Sequence, residues 1–111
     1  MTKEDIRKGN DLFRNTLIQS SRHKLFLTEM VQGLEDEKFQ ELITKLREFK
    51  EFDKDNDTYK EHDFGAIDLD NEKYFFKIDY YDKNLEYGFD FDSDEPINLV
   101  RVLTLMHASE Y

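Results

Sequence analysis

The chain has no cysteine. Disulfide bonds and thiolate metal sites are therefore excluded. It has one proline and four glycines in 111 residues, and no Gly/Pro-rich stretch divides it. It also contains no internal repeat and no low-complexity tract. No hydrophobic run approaches the ~20 residues that cross a bilayer, so no membrane partner is expected. No apolar stretch follows Met1-Thr2-Lys3-Glu4-Asp5, so no signal peptide is expected and a cytoplasmic location is the default. Positive charge is short, with 16 Lys and Arg against 26 Asp and Glu.

What the chain does have is aromatic mass. Ten Phe and six Tyr supply much of the core, since aromatics bury the most area per residue. Disordered segments are poor in aromatics, so a folded chain is expected. The length suits a single domain over residues 1–111.

The net charge of −10 is unevenly spread. Residues 1–50 hold ten basic and nine acidic side chains, and residues 51–95 hold five and sixteen. In residues 96–111, Arg101 balances Glu110. The middle segment alone therefore carries −11. Such a field repels phosphates, which argues against direct nucleic-acid binding, and attracts basic protein surfaces. Ordinary acidic solubility is the plain alternative.

Local signals predict an α+β fold. Thr2 with Asp5 three residues later resembles a capping box, and Ile6, Phe13 and Leu17 lie near one helical face, so residues 3–18 read as a helix. The short run 24–28 reads as a strand. Residues 35–51 read as the clearest helix, with Phe39, Leu42, Ile43, Leu46 and Phe49 at helical spacing. Its acidic start and basic end suit the helix dipole.

Residues 63–81 read as a hairpin around Asp70-Asn71. That register pairs Leu69 with Glu72, Ile67 with Tyr74 and Gly65 with Phe76. On the other face, Asp68 meets Lys73 and Phe64 meets Lys77, so opposite charges face each other across one pair. A turn at Asp82-Lys83-Asn84 and a further strand at Glu86–Phe89 are expected to follow. Asp94 and Pro96 suggest the start of a last helix over 95–108. The expected architecture is an antiparallel sheet of three to four strands packed against three helices.

Several segments together resemble an uncharacterised bacterial family, the domain-of-unknown-function family three-seven-six-eight. They are Asn10-Asp11-Leu12-Phe13-Arg14, the run Asp55 to Gly65, Lys77-Ile78-Asp79-Tyr80-Tyr81-Asp82, Arg101 to Met106, and Glu110-Tyr111. Thr58 stands where that family is expected to have proline. The resemblance implies no activity. It implies a bacterial, plasmid or phage origin.

Candidate chemistry centres on His62. Extending the hairpin register outward pairs His62 with Asp79 and places Lys77 diagonally beside it. A carboxylate beside an imidazole is what a general base needs. Arg14, from the first helix, could add an anion contact. The plain alternative is a cross-strand pair on a wet sheet face, because no nucleophile or glycine loop completes a site.

Asp53 to Glu61 imitates the start of an EF-hand loop, but Thr58 and Phe64 occupy the positions that need Gly and Glu. His23, His62 and His107 are scattered without zinc-ligand spacing, and His107 is expected near a helix C-terminus. No metal and no cofactor are expected. The aromatics from Tyr74 to Tyr81 read as core, because base-stacking platforms need an electropositive groove.

The leading expectation is a non-enzymatic interaction or inhibitor protein, with a counter-defence role if carried on a mobile element. Asp53, Asp55, Asp57, Glu61, Asp63, Asp82, Asp90, Asp92 and Asp94 would engage a basic partner, with a nucleic-acid-binding protein as the natural class. The alternative is a small hydrolase acting on a phosphorylated or nucleotide substrate through His62, Asp79, Lys77 and Arg14. A homo-oligomeric module is a third reading, for which an exposed aromatic edge strand would be the sign.

Overall fold

Thr2 and Asp5 do form a capping box. Thr2 Oγ1 accepts from the Asp5 N–H at 3.1 Å, and Asp5 Oδ2 accepts from the Thr2 N–H at 3.0 Å. Helix α1 then runs Lys3–Thr16 and ends on Leu17 in the left-handed conformation. These details come from a computed structural model that describes residues 1–111.

The remaining elements are strand β1 (His23–Leu27), a short helix α2 (Glu29–Gln32), helix α3 (Asp36–Arg47), and strands β2 (Phe64–Leu69), β3 (Glu72–Tyr81) and β4 (Val100–His107). The fold is α+β, as expected. No helix is long and apolar enough to cross a membrane.

The hairpin forms in the expected register, from Leu69↔Glu72 to Phe64↔Lys77. Asp70 and Asn71 both take positive φ, 51° and 64°, as a tight two-residue turn matched to strand twist requires. Alternating burial along β2 and β3 fixes that register, since a one-residue slip would turn Ile67, Tyr74 and Phe76 outward.

Several expectations fail. Residues 95–108 are not a helix. Pro96–Asn98 makes one 3₁₀ turn, and β4 follows. The carboxylate of Asp94 does not cap this turn. It accepts from the Asp90 N–H instead, at 2.9 Å. The apolar run belongs to an inner strand, paired with β1 on one side and β3 on the other, in which five of eight residues are buried and none is fully exposed. His107 consequently ends a strand and caps the start of the 3₁₀ turn Ala108–Glu110, with Nε2 2.9 Å from Glu72 Oε2, so it does not lie at a helix C-terminus.

Glu86–Phe89 is likewise not a strand, and only Gly88 bridges to Tyr81. Strand order is β1-β4-β3-β2, and β2 pairs with β3 only as far as Lys77, so the run meets the short free end of β3 through this bridge and the Phe89 N–H to Tyr80 carbonyl bond alone. The left-handed residue in this loop is Leu85, not Asn84. The sheet is also mixed, because β1 runs parallel to β4.

One face of the sheet carries the core. Ile67, Leu69, Tyr74, Phe76, Ile78, Leu103 and Leu105 meet Phe13, Val31, Leu42, Leu46 and Phe49. Helix α3 ends earlier than expected, and Phe49 then turns inward beside Phe76, with ring centroids 5.2 Å apart. The register places Phe75, Lys77 and Asp79 on the opposite face.

Candidate functional site

The inward stripe of α1 is Ile6, Asn10, Phe13 and Arg14. Two of these four are polar, and both are buried: Asn10 is 0% exposed and Arg14 3%. A helix that buries an amide and a guanidinium must find them partners. The long connection from α3 to β2 supplies two of them, the Phe49 and Glu61 carbonyls.

Arg14 donates to Asp11 Oδ1 at 2.9 Å and to the Phe49 carbonyl at 3.0 Å. Its guanidinium lies 5.1 Å from the centre of the Phe52 ring, in cation–π range. Asp11 Oδ1 also accepts from His62 Nδ1 at 2.8 Å. The His62 ring stacks on Phe52 with centroids 3.9 Å apart and planes 2° from parallel. Asp57, only 7% exposed, accepts from the His62 N–H at 2.9 Å, and its Oδ2 lies 3.5 Å from His62 Nε2. His62 thus stands between two carboxylates.

A second polar layer lies behind the first. Arg101 Nε donates to Asn10 Oδ1 at 2.7 Å. Asn10 Nδ2 donates to the Tyr80 hydroxyl at 2.8 Å and to the Glu61 carbonyl at 3.0 Å. The Tyr80 hydroxyl donates to Glu61 Oε1 at 2.7 Å. Burial pushes the Tyr80 hydroxyl far above its ordinary value, so it serves as a neutral donor. Burial also lowers Arg101, which has no carboxylate of its own. Gly9 lets that guanidinium approach, because a Cβ there would collide with it.

The four residues singled out from sequence are therefore divided. Arg14 and His62 meet through Asp11 and line one concavity of about 280 Å³. Lys77 and Asp79 lie on the opposite sheet face and pair with each other at 3.1 Å. The expected His62–Asp79 pair does not form. The ladder reaches as far as the Ile78 N–H, which donates to the Asp63 carbonyl at 2.8 Å. Left-handed φ values at Lys60 and His62, 59° and 57°, turn the preceding chain toward α1.

The acidic residues separate in a similar way. Asp57 is buried in the His62 site, so it offers no partner surface. Asp53, Asp82, Asp90 and Asp94 each accept backbone N–H groups within their own loops. Asp55 and Asp92 are exposed. No group of three or more His, Asp or Glu is arranged to hold a metal ion.

Asp63 is half-buried. Burial first, then the charge of Glu61, raises its carboxyl above the ordinary Asp value. The folded state therefore holds this proton more tightly than the unfolded chain does. The resulting stability is complete below the ordinary pKa of ~3.9 and is lost as pH rises through the raised value. Asp63→Asn should consequently raise the thermal midpoint at pH 7, and the advantage should vanish at pH ~3. Melting curves of both proteins at the two pH values decide this. Equal midpoints at neutral pH would refute it.

Asn10, Asp11, Tyr80 and Arg101 were not singled out as site residues. Asn10 was readable as an amide on an apolar stripe, and Arg101 as a charge within an apolar run. Asp11 had no such mark. No curated protein and no solved structure matches the chain. A family model described as "Protein of unknown function (DUF3768)" matches residues 27–110. That span contains Asp57, Glu61, His62, Tyr80 and Arg101, while Asn10, Asp11 and Arg14 precede it. With most of its length matched, the chain belongs to the DUF3768 family of proteins of unknown function.

Proposed function

We propose that this chain is a non-enzymatic, cytoplasmic interaction protein whose acidic end occupies a basic, nucleic-acid-binding surface on a partner. The observation that carries this reading is the convergence of two acidic loops. Residues 51–63 hold six carboxylates against two lysines, and residues 82–95 hold six against one. The loops flank the end of the sheet where β2 begins, β3 ends and β4 begins. Tyr80 joins them: its hydroxyl donates to Glu61, its ring packs 5.2 Å from Phe91, and its carbonyl accepts from the Phe89 N–H.

These loops hold −9 of the chain's net −10. Their shape is also set in advance. Asp53, Asp82, Asp90 and Asp94 close turns with their own carboxylates, so little ordering remains for binding to impose. Fixed carboxylates on one end can take the place of phosphates on a basic groove. On a phage or plasmid, such a protein would act as an inhibitor or counter-defence factor. The hydrolase alternative loses Asp79 and Lys77, which lie away from His62.

Asp55, Glu86, Asp92 and Glu95 are exposed and accept no hydrogen bond through their side chains, so Asn or Gln at all four should leave the fold intact. Capture from a bacterial lysate at low salt should retain basic nucleic-acid-binding proteins on the natural chain. The fourfold variant should bind them roughly 10-fold more weakly or worse, at about 0.2–1 kcal/mol per exposed contact. Raising the salt should release them. Equal retention by the variant, or no basic protein at low salt, would end this reading.

A further inference from the structure

We propose that the cleft around Phe52 and His62 is a binding site for a phosphate-bearing small molecule. The site shares the 51–63 loop with the acidic end but does not rest on the reading of that end as a partner surface. Two concavities meet there, both lined by Phe52 and His62. The larger, about 560 Å³, adds Arg7, Lys54 and Lys60. The smaller, about 280 Å³, adds Arg14, Arg47 and Lys50. Six of the chain's sixteen basic side chains thus surround one spot in a protein of net charge −10.

Four carboxylates share the lining: Asp11, Glu48, Asp53 and Asp57. Three of them are already committed. Asp11 serves Arg14 and His62, Asp57 serves His62, and Asp53 closes its own turn. Lys50, Lys54 and Lys60 take part in no ion pair. Arg47 spends its Nε on the Asn15 carbonyl and has no carboxylate.

A second observation points the same way. Arg14 is 3% exposed, and its Nε has no acceptor. Its one carboxylate, Asp11, is shared with the His62 ring. Positive charge at the floor of the cleft is therefore undercompensated. A single carboxylate ligand would not balance this set. A phosphate carries up to two charges and several acceptor oxygens, which suits converging Lys and Arg donors. The stacked Phe52–His62 pair gives an apolar wall beside those donors, where the organic part of an ester can lie. The space is in the range of small-molecule sites. The chain's overall negative field is screened beyond ~8 Å at physiological salt, so these local contacts dominate.

The test is titration calorimetry of the full chain at physiological salt with three probes: inorganic phosphate, pyrophosphate and adenosine 5′-monophosphate. Saturable binding of at least one probe is expected. Tighter binding of the nucleotide assigns an ester, and equal binding assigns the bare anion. Lys50→Gln/Lys54→Gln/Lys60→Gln, all at exposed positions, should keep the thermal midpoint and weaken binding by at least about tenfold. Lys73→Gln/Lys83→Gln, outside the cleft, should leave it unchanged. The proposal is overturned if no probe binds at ~10 mM. It is equally overturned if the triple variant binds like the natural chain, or if the remote pair weakens binding as much as the triple.

Discussion

Asn10→Ala is expected to cost about 3 kcal/mol, a large part of the stability of a domain this size. Asn10 is fully buried and joins four elements of the chain. Its Oδ1 holds Arg101 Nε of β4, while its Nδ2 holds the Tyr80 hydroxyl of β3 and the Glu61 carbonyl. Truncation removes one acceptor and two donations together. The most costly loss is at Arg101, a 9%-exposed cation whose other side-chain acceptor is the Ile6 carbonyl at 3.4 Å. A buried charge that loses its partner costs more than the lost bond was worth, because desolvation stays uncompensated.

Urea unfolding checks this through the midpoint, provided the slope is unchanged. A loss below ~1 kcal/mol would show that water replaces the amide. Pairing Asn10→Leu with Arg101→Met separates charge from packing. If the buried cation is the cause, the double variant should lose less than the two single losses added together.

That network also shows what could be read from sequence. The capping box and the hairpin register follow from contacts between residues close in the chain, and both formed as expected. The mixed sheet does not: β1 pairs with β4, and Leu25 meets Leu103 from 78 positions away. No local pattern encodes that partner. With β4 on one side of β3 and β2 on the other as far as Lys77, the run 86–89 finds only the last residues of β3 to join, and a residue set resembling a meander becomes a loop held by one bridge. The same gap separates the two halves of the site. Arg14 and His62 stood out by chemistry. Their meeting depends on left-handed turns at Lys60 and His62, positions where neither glycine nor asparagine signals such a bend. The charge count located the acidity within 51–95 but could not show that its two loops share one end.

Gly65→Ala should produce the other large effect, and its sign is diagnostic. Gly65 lies within β2 without a positive φ, so backbone freedom is not the reason for glycine there. On conformational entropy alone, alanine would stabilise by about 0.4–1 kcal/mol. Space opposes this. A Cβ would lie 2.5 Å from Phe76 Cε1 and 2.6 Å from both Cε1 and Cζ of Phe49. Neither ring can move freely. Phe76 is fully buried, and Phe49 packs edge-on against both Phe76 and Phe52. Overpacking of this kind costs roughly 1–3 kcal/mol or more, enough to reverse the entropic gain and lower the midpoint by about 10 °C. The strain should also reach the cleft, because Phe52 carries the stacked His62 ring and the Phe49 carbonyl holds Arg14. A shifted His62 ring resonance together with a lowered midpoint would confirm that path. A midpoint at or above that of the natural chain would show that the rings yield, and would remove the packing account of this glycine.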